Sequence, residues 1–167
     1  QMLWHTLVAL GLTPCSDVFE KILDEDVIEI HSVQDDILQI YHSFSFYDKT
    51  SYTLEELCSI DWQELYLTDE MTTVNLLDMA SRVASGEYAK TFDPGFKNYI
   101  VEEMRSALKY KVEVQYKFGS PLYDKSGKPV ACLSVESLNV LNKRPRTESQ
   151  DFEKHLDPKG PPSLSLV

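Results

Sequence analysis

A chain of 167 residues suits one domain of ordinary size with short extensions, long enough to bury a core without disulfide or metal staples. With 43% hydrophobic and 26% charged residues it is neither a disordered segment nor a membrane protein, and no apolar run approaches spanning length. A formal net charge of −11 would repel a phosphate backbone, and the basic cluster Lys143 to Arg146 is too short to offset it, so no direct nucleic-acid contact is expected.

In chain order, residues 2 to 10 predict a short helix with Leu3, Leu7 and Leu10 on one side, capped by Gly11 and cut off by Thr13-Pro14. The first dozen residues have no basic leader and no small-residue cleavage site, so they are not read as a signal peptide. Ser16 is the expected N-cap of a second helix with Val18, Phe19, Ile22 and Leu23 as its buried stripe. Val27 to His31 alternates as a strand, and Leu38 to Tyr47 is read as another. Thr53 and Glu56 form a capping box for one short helix, Ser59-Ile60-Asp61 caps a second, and Thr68 or Asp69 opens the longest helix. Met71, Val74, Leu76 or Leu77, and Val83 are expected on its buried side before Gly86 ends it.

Tyr88 to Phe92 reads as a further strand, Asp93-Pro94-Gly95 as a turn, and Phe96 to Leu108 as a helix carrying Phe96, Ile100, Met104 and Leu108. The strongest signal follows. Tyr110, Val112, Val114, Tyr116 and Phe118 alternate with Lys111, Glu113, Gln115 and Lys117, giving one dry and one wet strand face. Asp124 to Gly127 supplies a turn, and Pro129 begins the returning strand of a long hairpin that runs to Leu141. From 142 onward lie four of the eight prolines and few apolar residues, which reads as a linker with one helical turn near Asp151 to Leu156. The division expected is thus a helical extension over 1–26, a domain over 27–141 and a linker over 142–167.

Chemical motifs are sparse. Cys15, Cys58 and Cys132 stand far apart in apolar or helical settings, as reduced thiols of a cytoplasmic protein would. His5, His31, His42 and His155 form no metal-ligand spacing, and there is no nucleophile elbow, phosphate loop or zinc-protease motif. The pairs Asp35-Asp36 and Glu102-Glu103 are read as solvated faces. The aromatics Trp62, Phe92, Tyr110, Tyr116 and Phe118 are the candidate ligand-binding residues, because the dry face of such a sheet and the helices over it enclose whatever pocket exists.

Two of these stretches carry a family likeness. TLEELCSIDWQELY resembles the S-x-E-E-L-x-G-x-x-W/F segment in the middle of PAS domains, and PLYDKSGKPVACLSV resembles their closing P-[ILV]-x-D-x-x-G-x-[VP]-x-G hairpin. The chain departs from that pattern at Ser59, where Gly is usual, and in the helix expected over Phe96 to Leu108. The end of the hairpin with KRPRTESQDFEKHL is also similar to the end of a GAF domain, and the tandem helices favour PAS.

The resemblance implies an α+β fold, an antiparallel sheet covered by helices, acting as a non-enzymatic input module that senses a small molecule or a partner. A bacterial transcription regulator of the LuxR type is one parent it would suit. Flavin-binding relatives place a photoreactive cysteine near Cys58, but their Gly-x-Asn-Cys-Arg context is missing from EELCSID; haem-binding relatives place a histidine in the long helix, which here has none. No cofactor is therefore assigned. Self-association as a homodimer is expected through residues 2 to 10 and the wet side of the sheet, because Leu3, Trp4, Leu7, Val8 and Leu10 make that helix apolar around much of its circumference. The rival is a small enzyme of the ketosteroid-isomerase-like barrel kind, which needs an acid on a dry strand face. Glu136 and His31 are its only candidates, and both are read as outward-facing.

Overall fold

The long hairpin is the centre of the molecule. The computed structural model describes residues 2–34, 37–95 and 98–142. Its strands are β1 (Thr13–Pro14), β2 (Val27–Ser32), β3 (Gln39–His42), β4 (Tyr66–Leu67), β5 (Asn98–Glu103), β6 (Lys111–Tyr123) and β7 (Pro129–Val140). Its helices are α1 (Met2–Leu10), α2 (Val18–Lys21), α3 (Phe44–Lys49), α4 (Leu54–Cys58) and α5 (Glu70–Ala84), with a 3₁₀ turn at Trp62–Glu64. All strands join one antiparallel sheet in the order β3-β2-β7-β6-β5-β4, with β1 added alongside the far end of β6. The fold class is the expected one, an antiparallel α+β sheet covered by helices with a helical N-terminal extension.

Helices lie on both faces of this sheet, and that decides where every strand residue points. On the outer face, Leu3 and Leu7 of α1 and Val18 of α2 bury Ile28, Ile30, Leu122, Leu133 and Val135. On the inner face, Phe46, Leu57 and Leu65 pack on Val27, Val101, Val112, Val114 and Leu138. Met79 and Val83 of α5 meet Tyr116, Cys132 and Phe92 beside that cluster. The middle of β2 and of β7 is therefore buried on both sides.

A bulge divides β6. Tyr116 pairs with Glu136 and Phe118 with Val135, so Lys117 is the extra residue and the alternation changes phase there. Phe118 consequently joins the outer face instead of continuing the dry face of Tyr116. Lys117 reaches the buried carboxylate of Asp26, tying the start of β2 to the bulge. Just beyond it Gly119 exchanges backbone hydrogen bonds with Phe92 at 2.9 and 2.8 Å, and a Cβ at Gly119 would fall 2.5 Å from the Phe92 ring. No other side chain fits there.

The local signals held where caps were explicit. The Thr53 and Glu56 capping box starts α4, and Asp69 caps α5 by accepting from Thr72 N–H at 2.8 Å. Gly11 and Gly86 end α1 and α5 at positive φ, +66° and +77°. Elsewhere tertiary context prevailed. The helix expected from Ser16 is only Val18–Lys21; Asp17 bonds Lys21 and Thr91, each at 2.6 Å, and Phe19 and Leu23 are exposed. The strand expected over Leu38 to Tyr47 stops at His42, and Ser43 begins α3, which commits only Phe46 to the core. Of the Tyr88 to Phe92 strand only the Phe92 bridge remains. On α5 the buried stripe is Thr72, Met79 and Val83, while Met71, Val74 and Leu77 face outward, because the sequence carries two adjacent apolar stripes and packing uses one.

The clearest correction is at residues 98–103, expected to be helical and forming β5. Phe96 and Lys97 lie outside the described residues, as do 143–167, which hold most of the expected linker and its helical turn. In β5 the side chains alternate, with Val101 and Glu103 buried and Ile100 and Glu102 exposed, so Glu102 and Glu103 do not share a solvated face. Glu103 accepts from Ser51 N–H at 2.7 Å and Tyr110 N–H at 3.1 Å, and from the hydroxyls of Ser51 and Ser106. It thereby fastens the loop before α4 to both ends of the β5–β6 connection. Glu103→Ala removes the buried acceptor that these donors share and should lower stability by about 3 kcal/mol in urea unfolding. Leu7→Ala, which opens a cavity over the outer face, should cost about 2–5 kcal/mol by the same measurement.

Candidate functional site

Directly paired residues on neighbouring antiparallel strands share a face. The pairs Val27 with Glu136, Glu29 with Ser134 and His31 with Cys132 therefore set Glu29, His31, Cys132, Ser134 and Glu136 together on the inner face. Between that face, α5 and the 3₁₀ turn lies a cavity of about 290 Å³. Its apolar wall includes Trp62, Leu65, Leu76, Met79 and Val114, and its polar groups include Tyr66, Tyr99, Thr73, Ser134, His31, Glu29 and Glu136. Among the described residues, none that lines it is Lys or Arg.

Of the aromatics singled out from sequence, Trp62 lines this cavity. Tyr116 and Phe92 are buried beside it in the cluster with Met79 and Cys132. Tyr110 is buried in the core under α3 and α4, and Phe118 is on the opposite face, near Lys21. Glu136 and His31, read as outward-facing, both line the cavity. Along VIEIH, Ile28 and Ile30 alternate with Glu29 and His31; α1 and α2 cover the isoleucine side and leave the other face to enclose the cavity. Glu29 was missed for the same reason, and Tyr99 because its stretch reads as a helix and forms β5 instead. The signal that could have found them is the strongly apolar N-terminal helix, which needs a sheet face of its own.

The two acids sit in an unusual setting. Burial pushes Glu29 up to about 7, and burial together with the nearby Glu29 carboxyl raises Glu136 well above the ordinary glutamate value of 4.5. Burial depresses His31 to about 4, and burial aided by His31 depresses His42 to about 3, so both imidazoles are neutral at pH 7. Glu29 lies 3.9 Å from His31 Nε2 and 3.9 Å from His42 Nδ1, beyond hydrogen-bond reach. His42 Nε2 is engaged instead by Gln39 Oε1 at 2.9 Å, and Gln39 donates to the Ile60 carbonyl at 3.0 Å. Burial also pushes the Cys132 thiol up to about 12, which keeps it protonated and unreactive. Cys58 is exposed on α4 and does not line the cavity.

No family model matches the chain, and no curated protein matches it. Among solved structures it is similar to a light-oxygen-voltage domain studied with a flavin analogue, at 16% identity and TM-score 0.46, over 92% of this chain and 93% of that one. It is similar to a fungal LOV domain photoreceptor at 16% identity and TM-score 0.44, over 81% and 89% of the two chains. A domain of a histidine kinase from Haloarcula marismortui, named as light and redox sensing, matches at 11% identity and TM-score 0.42, over 75% of this chain and 96% of that one.

The acids give folding a distinct pH dependence. An unfolded glutamate loses its proton near 4.5, whereas Glu29 keeps its own to about 7, so Glu29 weakens the fold progressively from pH 4.5 to 7. The histidines act oppositely, since their lowered values favour the fold above 6.5 and lose that contribution as pH falls toward 4 and 3. Glu29→Gln should therefore be more stable than the parent at pH 8, by on the order of 2 kcal/mol, and equal to it at pH 4 in denaturant titrations.

Proposed function

We propose that this chain is a non-enzymatic sensory input domain of the PAS kind, in which occupancy of the cavity under α5 is the signal. The observation that carries the reading is the cavity itself: mostly apolar walls, convergent polar groups at the sheet, and a helix that packs directly on β7 as its lid. A ligand there would press on α5 from below and on the central strands from above. The parent we propose is a cytoplasmic signalling or transcription-regulatory protein, with the segment after 142 leading toward its output.

A flavin–cysteine photoadduct does not suit these residues. Cys58 is exposed away from the cavity, and Cys132, the thiol within it, is buried and held protonated. Signal output is proposed to pass through a homodimer. Met2, Trp4, Val8 and Leu10 of α1 remain exposed beside Phe19 and Leu23, although Leu3 and Leu7 already satisfy the contact with the sheet. Trp4 and Phe19 meet edge to face with ring centroids 5.7 Å apart, joining the exposed side of α1 to α2.

A specific observation also favours the enzyme reading. Glu136 is a buried acid facing a cavity with Tyr66 and Tyr99 on its walls, the setting in which a carboxyl kept protonated can donate to a substrate oxygen. Glu136-dependent isomerisation of a β,γ-unsaturated ketone would turn the assignment to that reading.

Native mass spectrometry of the purified chain should show a bound small molecule or uptake of an apolar probe, abolished by Ala80→Phe, which fills the cavity. An unliganded mass with no probe uptake removes the sensory reading. In light scattering at tens of micromolar the parent should be a dimer and Trp4→Glu a monomer; a monomeric parent removes the proposed interface.

A further inference from the structure

We infer that the cavity receives a small organic cation, an amine or amidine on a compact apolar body, with its N–H groups held by Glu29 and Glu136. This rests on the reading of the cavity as a ligand site and names what that site takes.

The argument begins with how the fold treats its other buried acids. Asp26 is met by Lys117 and by the Leu23 N–H at 2.9 Å. Glu103 has its backbone and hydroxyl donors. Glu29 and Glu136 are each only 7% exposed, yet the cavity gives them no comparable partner. Among the described residues no group hydrogen-bonds the Glu136 carboxyl, and the nearest imidazoles to Glu29 stop at 3.9 Å. The groups around the pair are His31 on β2, His42 on β3, Tyr66 on β4, Tyr99 on β5, Tyr116 on β6, and Cys132 and Ser134 on β7, with Thr73 above on α5. None of them is a cation.

The register puts the two acids diagonally across β2 and β7, about 7 Å apart at that spacing, so one N–H-bearing group can reach both. A buried Tyr66 hydroxyl without a partner adds a further acceptor. Trp62, Tyr66 and Tyr99 put aromatic rings on the cavity wall, where a cation is favoured, and Leu65 and Met79 add apolar wall for the body. An anion would meet two acids. A neutral hydrocarbon would leave both acids unsatisfied. A volume of about 290 Å³ limits the ligand to a compact molecule. Because a bound cation favours the ionised carboxyl, binding draws a proton from the acid pair and tightens as pH rises from 6 to 8.

The test is calorimetric titration of the whole chain at pH 7 with benzylamine, benzyl alcohol and benzoate, which share a body and differ in charge. Benzylamine should bind at least tenfold more tightly than benzyl alcohol, and benzoate should not bind. Glu136→Gln should lose at least tenfold toward benzylamine and stay within twofold toward benzyl alcohol. Glu29→Gln should do the same, so the result does not depend on one variant folding. If the alcohol binds as tightly as the amine, or both variants bind benzylamine like the parent, the cation assignment falls while the ligand-site reading stands. If none of the three binds to the folded parent, both fall.

Discussion

The contact between α1 and the outer face of the sheet governs the remainder of the architecture. Leu3 and Leu7, with Val18 of α2, bury Ile28, Ile30, Leu133 and Val135. Strand residues alternate between faces, so committing Ile28 and Ile30 outward commits Glu29 and His31 inward. The polar half of β2 and β7 then has to be enclosed by helices. The cavity under α5 lies against that polar half.

The bulge at Lys117 lets one hairpin serve both layers. Before it, Val112, Val114 and Tyr116 supply the inner face; after it, Phe118 and Leu122 supply the outer one. A regular strand would have sent Phe118 into the cavity side and left the outer core short of an aromatic. The close approach of Phe92 to Gly119 completes the same adjustment, since the ring occupies the space where any Cβ would stand. The Tyr88 and Phe92 rings stack there with centroids 3.8 Å apart, closing the sheet edge beyond β5.

Electrostatics separates structural acids from the pair at the site. Asp26 and Glu103 are buried with donors in place and serve to join distant segments. Glu29 and Glu136 are buried against neutral neighbours, and that arrangement costs the fold stability at neutral pH. Unfavourable polar burial concentrated in one cavity is a common mark of a binding or chemical site, because a ligand or substrate supplies what the protein omits. The same feature underlies both the sensory and the enzymatic readings, which differ in whether the acid holds its proton or transfers it.

Sequence by itself determined the local events. Thr53 with Glu56, Asp69, Gly86 and the 124–127 turn each carry their structural instruction in a few adjacent side chains, and each appears where it was expected. The alternation from Tyr110 to Tyr116 likewise marked the inner face of β6 correctly. Tertiary structure decided the rest. Phe96 to Leu108 has apolar spacing that suits a helix, but within it Asn98 to Glu103 pairs with β6, which satisfies its backbone and makes it a strand. Whether Glu29, His31 and Glu136 face water or a cavity depends on which sheet face α1 covers, a contact between segments more than a hundred residues apart for Glu136. Alternation along a strand shows that two faces differ; only the packing of distant helices shows which of them is enclosed.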